Sequence, residues 1–172
     1  MVNRILSFSQ IENNKRQYSF GETNLNDIVV NASATFRYTM NNKGFSYTAE
    51  TYDNLPGILA DRDAITDALM NLIDNAIKYS GENKTIRVRT GINDQYVFIE
   101  VEDHGIGISE KNQKFIFDKF FRVTEKNLAN RVKGSGLGLA IVKHIMDAHK
   151  GKIIVKSTTG SGSVFRLLFP VK

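Results

Sequence analysis

The sequence predicts an α+β fold, a two-layer sandwich in which three helices cover one face of a mixed, about five-stranded sheet. Three observations carry this expectation. Three segments repeat apolar residues at helical spacing. Two pairs of segments alternate with period two around turn residues. The 172 residues are 41% hydrophobic, enough to bury one core of ordinary size.

The elements follow in chain order. Val2 to about Asn14 reads as the end of a helix, with Ile5, Leu6, Ser9 and Ile11 loosely on one side. It is too short to stand alone, so a partner on its N-terminal side is expected. Gln17 to Phe20 reads as a strand. Leu25, Ile28, Val29, Ala32 and Phe36 form a helical stripe, capped by Thr23 or Asn24. Asn41-Asn42-Lys43-Gly44 ends that helix, and Gly44 suits a left-handed C-terminal position. Phe45 to Tyr52 reads as a strand, and Asp61 opens a second long helix that ends near Tyr79-Ser80-Gly81. Thr85–Thr90 and Tyr96–Glu102 form a hairpin turning through Gly91 to Gln95. Residues 104–134 carry few strand signals, and a loop this long in a compact domain is usually functional. A third helix spans about Gly136 to His149 and stops at Gly151. Lys152–Ser157 and Ser163–Phe169 close the chain as a hairpin across Thr159-Gly160-Ser161-Gly162.

Composition excludes several classes. With no Cys, disulfide scaffolds, thiolate nucleophiles and Cys-ligated zinc are ruled out. No apolar run approaches the ~20 residues of a membrane helix, and the N-terminus lacks a signal-peptide apolar core. The net charge of +5 is spread along the chain without a basic run, which favours a solvated surface or an anionic ligand over nucleic acid.

Four stretches carry chemistry. On the second helix Asn71, Asn75 and Lys78 project within roughly 60° of one another, with Tyr79 beside them. Such a face could be merely solvated, but two Asn mid-helix are poor choices for stability alone. A carboxamide oxygen suits Mg²⁺, and an ammonium answers a phosphate. Asp103-His-Gly-Ile-Gly-Ile108 sets a carboxylate before two glycines, which would admit a flat ligand or simply close a strand. Lys133-Gly-Ser-Gly-Leu-Gly-Leu139 leads into a helix, either as a hinge or as a donor of backbone N–H groups to an anion. Its pattern is neither a Walker loop nor a dinucleotide fingerprint. Phe115-Ile-Phe-Asp-Lys-Phe-Phe-Arg122 is an aromatic cluster that reads as a satellite core or as the anchor of a lid.

Taken in order, these stretches resemble the ATP-binding catalytic domain of two-component sensor histidine kinases, within the gyrase–chaperone–histidine-kinase–MutL ATPase superfamily. Asn71 to Tyr79 resembles the family's N box, Asp103 to Gly107 its first glycine box, and Phe115 to Arg122 its F box. Gly134 to Leu139 resembles its second glycine box, and Thr159 to Ser163 its last small-residue turn.

The resemblance implies a Bergerat-type ATP-binding fold over residues 17–172, with an ATP lid at about 106–136. It implies that residues 1–16 are the remnant of a dimerisation helix and its linker. It implies Asn75 as the Mg²⁺ ligand, supported by Asn71, with Lys78 and Tyr79 by the phosphates and sugar. Asp103 would accept from the adenine amino group, and Arg122 would approach the γ-phosphate. Gly105, Gly107, Ile108, Leu137, Leu139 and Ser163 would help hold the nucleotide. Gly134, Gly136 and Gly138 would let the lid close.

Hydrolysing members of the superfamily use a Glu one helical turn before the Mg²⁺ Asn, where this sequence has Asn71. Asn cannot take a proton from water near neutral pH, so transfer to an acceptor is expected in place of hydrolysis. None of His104, His144 and His149 stands in the family's acceptor motif. The acceptor is therefore expected upstream, in a dimerisation domain of the parent kinase, with a response regulator as the next partner. No nucleic acid or direct membrane contact is expected, and the location is expected to be cytoplasmic. The competing readings are a serine kinase of the anti-sigma type and a nucleotide-sensing module without transfer activity.

Overall fold

The computed structural model describes residues 16–123 and 134–171. The expected helix of residues 2–14 and lid residues 124–133 lie outside the described residues. Among the described residues seven strands and four helices run in the order β1 (Gly21–Thr23), α1 (Leu25–Asn42), β2 (Ser46–Glu50), β3 (Ile58–Ala60), α2 (Arg62–Tyr79), β4 (Thr85–Asn93), β5 (Tyr96–Asp103), α3 (Glu110–Gln113), α4 (Gly138–Ala148), β6 (Lys152–Thr158) and β7 (Gly162–Pro170).

Five strands form one mixed sheet in the order β2-β4-β5-β7-β6, in which only β2 and β4 are parallel. Alternation divides it into two faces. Val88, Ile99 and Leu167 point into the core, where Ile28 of α1, Ile73 of α2 and Ile145 of α4 cover them. On the opposite face the Glu100 carboxylate is 1% exposed and lies between the guanidiniums of Arg89 and Arg166. Arg166 also stands over the Phe98 ring at 4.4 Å. The open face thus buries a charge only where two opposite charges meet it.

Local differences from the sequence expectation have simple causes. Residues 17–20 are not a strand; β1 begins at Gly21 and pairs with β3, a three-residue strand too short to leave a periodic signal. The cap of α1 is Asn24, whose side chain accepts from the Asn26 amide at 2.8 Å. The 85–103 hairpin keeps pairing to Asn93–Tyr96, so its turn is only Asp94-Gln95. The third core helix starts at Gly138, two residues later than the apolar stripe suggests, because Gly136 has φ +72°.

Asp61 joins three parts of the fold. Its Oδ1 caps α2 by accepting from Ala64 N at 2.9 Å, and its Oδ2 accepts from Ser19 N at 2.8 Å. Its own N–H donates to Nε2 of His149, just past the end of α4, at 3.0 Å. His149 Nδ1 donates to Ile145 O at 2.7 Å, so the ring holds both bonds only when neutral. The entering segment packs on this junction: Tyr18 meets the His149 ring edge-on, and Arg16 pairs with Asp67 of α2.

Burial depresses the His149 pKa below its ordinary 6.5, outweighing the raising effects of the Ile145 bond and Asp61. A depressed base stabilises the fold above its unfolded value and loses that contribution as pH falls. Stability in denaturant titrations should therefore decline below pH 6.5, with the neighbouring His144, also depressed by burial, adding to the slope. His149→Phe should cost about 1–3 kcal/mol at neutral pH by orphaning the Asp61 amide, and should flatten the acid slope.

Candidate nucleotide-binding site

A cavity of about 220 Å³ opens between the sheet and α2. Its shape follows from three close backbone contacts. A Cβ on Gly105 would strike the Tyr79 carbonyl, one on Gly107 the Thr158 carbonyl, and one on Gly162 the Asp103 carbonyl. Main-chain bonds fix the same loop: Ile106 N donates to Tyr79 O at 3.0 Å, and Gly160 N to Ile106 O at 2.7 Å. The end of α2, the loop after β5 and the β6–β7 turn are thereby stacked around one point, the end of β5.

Asp103 stands at that point. It is 7% exposed, and its Oδ1 accepts from Gly105 N at 2.9 Å. Burial pushes its pKa up, partly offset by the Gly105 amide that bonds the carboxylate and by the nearby Ser163 amide. Leu72, Ala76, Val101, Ile108, Ile116 and Phe165 give the cavity apolar walls around this carboxylate.

Polar groups complete the lining. Asn75, Tyr79 and Arg122 all face the cavity. The Tyr79 phenol is raised above its ordinary value by burial, against the lowering influence of Arg122, so the phenol and guanidinium lie within electrostatic reach. Asn71 lies one turn before Asn75; its Nδ2 donates to Asp67 O at 2.9 Å, while its Oδ1 is buried without a hydrogen-bond partner. A Cβ placed on Gly138 would lie 3.2 Å from that oxygen and 4.0 Å from Asn75 Oδ1. Two neutral carboxamide oxygens thus converge beside the first residue of α4. This donor set fits a hard divalent cation whose remaining positions are filled by water and phosphate.

The predicted residues divide accordingly. Asn75, Tyr79, Asp103, Gly107, Ile108, Arg122, Leu139 and Ser163 line the cavity. Asn71 and Gly138 sit behind it, and Gly105 acts through its backbone contact. Leu137 is buried at the start of α4, and Gly136 accepts from Phe120 N at 3.1 Å. Gly134 has open space around it and is not part of the wall. Lys78 is also not part of the wall; it pairs with Asp74 one turn earlier at 2.5 Å. The apolar walls Val101 and Phe165 escaped the sequence reading. Period two held the signal, since Val101 pairs with Phe165 as Asp103 pairs with Ser163.

Fold and cavity together define an ATP-binding sandwich domain. Residues 60–172 match the family described as histidine kinase-, DNA gyrase B-, and HSP90-like ATPase, and the chain belongs to that family. It is 36% identical over 172 residues to Sensor protein RprX of Bacteroides fragilis, covering 99% of this chain and 33% of that protein. A crystal structure of full-length ShkA in complex with AMPPNP aligns with TM-score 0.85 and 25% identity, over 99% of this chain and 35% of that one. A structure of histidine kinase ThkA in complex with response regulator protein TrrA aligns with TM-score 0.77 and 26% identity, over 99% and 48% of the two chains. The chain spans 13% and 33% of the length of two curated relatives it matches.

Gly107 combines φ +66° with the Thr158 contact. Gly107→Ala should lower stability by about 1–3 kcal/mol, as overpacking does, and thermal unfolding of the pair would measure it.

Proposed function

We propose that this chain binds Mg-ATP in the cavity and passes the γ-phosphate to a histidine of a helical dimerisation domain in its parent protein. A response-regulator aspartate would be the next acceptor. The observation that carries the reading is one cavity joining a buried carboxylate among apolar walls to the Asn75 carboxamide. ShkA's complex with AMPPNP and ThkA's with TrrA support it by similarity.

In this reading Asp103 accepts from the adenine amino group while the apolar walls enclose the ring. Asn75 would hold Mg²⁺, with Asn71 behind it, and the ion would offset the charge of the phosphates. Arg122 and Tyr79 would orient the triphosphate. The transfer itself needs a nucleophile in line: a histidine nitrogen forms the N–P bond as the bond from the γ-phosphorus to the bridging oxygen breaks and ADP leaves. The neutral Asn71 offers water no base. His149 cannot serve as acceptor without giving up its bonds to Asp61 and Ile145. Among the described residues no helix is long and apolar enough to cross a membrane. By its similarity to a sensor protein, we propose a cytoplasmic location for the domain.

Base choice is one test. Guanine would set a carbonyl oxygen against Asp103, an unsatisfied pairing worth on the order of 1–3 kcal/mol, so calorimetry should favour ATP over GTP by about tenfold. Asp103→Asn should erase most of that preference; equal affinities in the parent chain would remove Asp103 from base recognition.

Transfer is the second test. With radiolabelled ATP the chain alone should stay unlabelled and hydrolyse ATP slowly. Adding the parent kinase's dimerisation domain should give acid-labile, base-stable label on that partner, at a low rate because tethering is lost. Asn75→Ala should abolish the labelling and Asn71→Ala should reduce it less. Strong labelling of this chain alone, or an acid-stable product, would instead favour a serine kinase.

A further inference from the structure

The loop that walls the cavity is held in two different ways. Ile106 is fixed by main chain alone, through Tyr79 O and Gly160 N. Ile108, two residues on, has no main-chain partner of that kind. Its N–H donates to Ser157 Oγ at 2.8 Å, and its carbonyl accepts from Gln113 Nε2 at 3.0 Å. Gln113 Nε2 also donates to Ser157 O at 2.9 Å, so one amide group bridges the loop and β6.

The Ser157 hydroxyl has no spare capacity. It donates to Gly162 O at 2.9 Å, accepts from Ile108 N, and lies 2.9 Å from Ser163 Oγ, which must then be the donor. Ser163 is the strand partner of Asp103, and both line the cavity. Hydrogen bonds therefore link α3 through Gln113 and Ser157 to Ser163, the residue paired with Asp103, with Ile108 clamped between Gln113 and Ser157. Ile108 and Asp103 line the cavity; Ser157 and Gln113 do not.

We infer that Ser157 and Gln113 are positioning residues for base recognition, holding the Ile108 wall and the Asp103 carboxylate at the separation a purine ring requires. This rests on the Mg-ATP reading above. The clamp contacts only the part of the cavity formed by the loop after β5 and the β6–β7 turn. The Asn75 carboxamide belongs to α2 and is not bonded to it. Loss of the clamp should accordingly weaken grip on the base and spare grip on the phosphates.

The test uses the full chain in calorimetry with Mg-ATP and, separately, Mg-tripolyphosphate, which has phosphates and no base. Ser157→Ala should weaken ATP about three- to tenfold, the range expected for one part-buried hydrogen bond, and leave tripolyphosphate affinity unchanged. The Ile108 amide should also exchange faster in NMR spectra of the unliganded variant. Gln113→Leu, which removes only the two donors, should give the same split and stands in if Ser157→Ala does not fold. Unchanged ATP affinity in a folded variant, or equal losses for both ligands, would overturn the clamp. If the parent chain itself bound no ATP, the Mg-ATP reading would fall and the clamp with it.

Discussion

Backbone packed directly on backbone around the end of β5 is the constraint on which the rest of this structure depends. Gly105 lies against Tyr79 O, Gly107 against Thr158 O and Gly162 against Asp103 O, each without room for a methyl group. These contacts tie the C-terminal end of α2, the loop after β5 and the β6–β7 turn into one unit. With side chains there, the three segments would have to spread by ångströms, and the cavity between them would lose its walls. The unit also explains how Asp103 can be 7% exposed: the Gly105 amide reaches its carboxylate because the loop that carries it is held so closely against the neighbouring turns.

The same crowding governs the choice of polar groups. A carboxylate in place of Asn71 would bury a charge where the carboxamide oxygen now has no hydrogen-bond partner. A neutral carboxamide costs less to bury and still presents an oxygen to a cation. Its Nδ2 is taken by the Asp67 carbonyl of the preceding turn, which fixes which way the oxygen faces. The glycine at 138 then leaves that oxygen its space. The Asp103 carboxylate accepts from the Gly105 amide, while Lys78, outside the wall, is paired with Asp74.

Much of this was legible in the sequence because helices and hairpins leave periodic marks. The core stripes of α1, α2 and α4, the Asp61 cap and the two hairpins all appear there; the gathering of Asn75, Tyr79, Asp103 and Arg122 was expected only through the resemblance of their motifs to a family. What was not legible had non-local causes. A three-residue strand such as β3 is defined by its partner β1, 37 positions from Ala60 back to Thr23 in one side-chain bond, and no window of local pattern contains both. Helical projection and the family resemblance both set Lys78 beside Asn75; neither names its neighbour Asp74, one turn away, with which the ammonium pairs. Ser157 and Gln113 look like ordinary polar residues until the fold brings them to the N–H and the carbonyl of one residue, Ile108.

The architecture also accounts for a division of labour. Phosphoryl transfer is chiefly a matter of position and charge, so a domain that binds the nucleotide rigidly has done most of its part before a nucleophile arrives. The described residues concentrate rigidity on the Asp103 side of the cavity, where stacked turns and the hydrogen-bond chain leave little freedom. On the other side the segment leading into α4 meets the F-box loop through a single main-chain bond, Phe120 N to Gly136 O. Gly136 leaves no room there for a Cβ, whose nearest neighbour would be the Phe120 backbone at 2.8 Å. Such a site suits the proposed reading, in which the Asp103 side would hold the base and the acceptor histidine would come from another part of the protein.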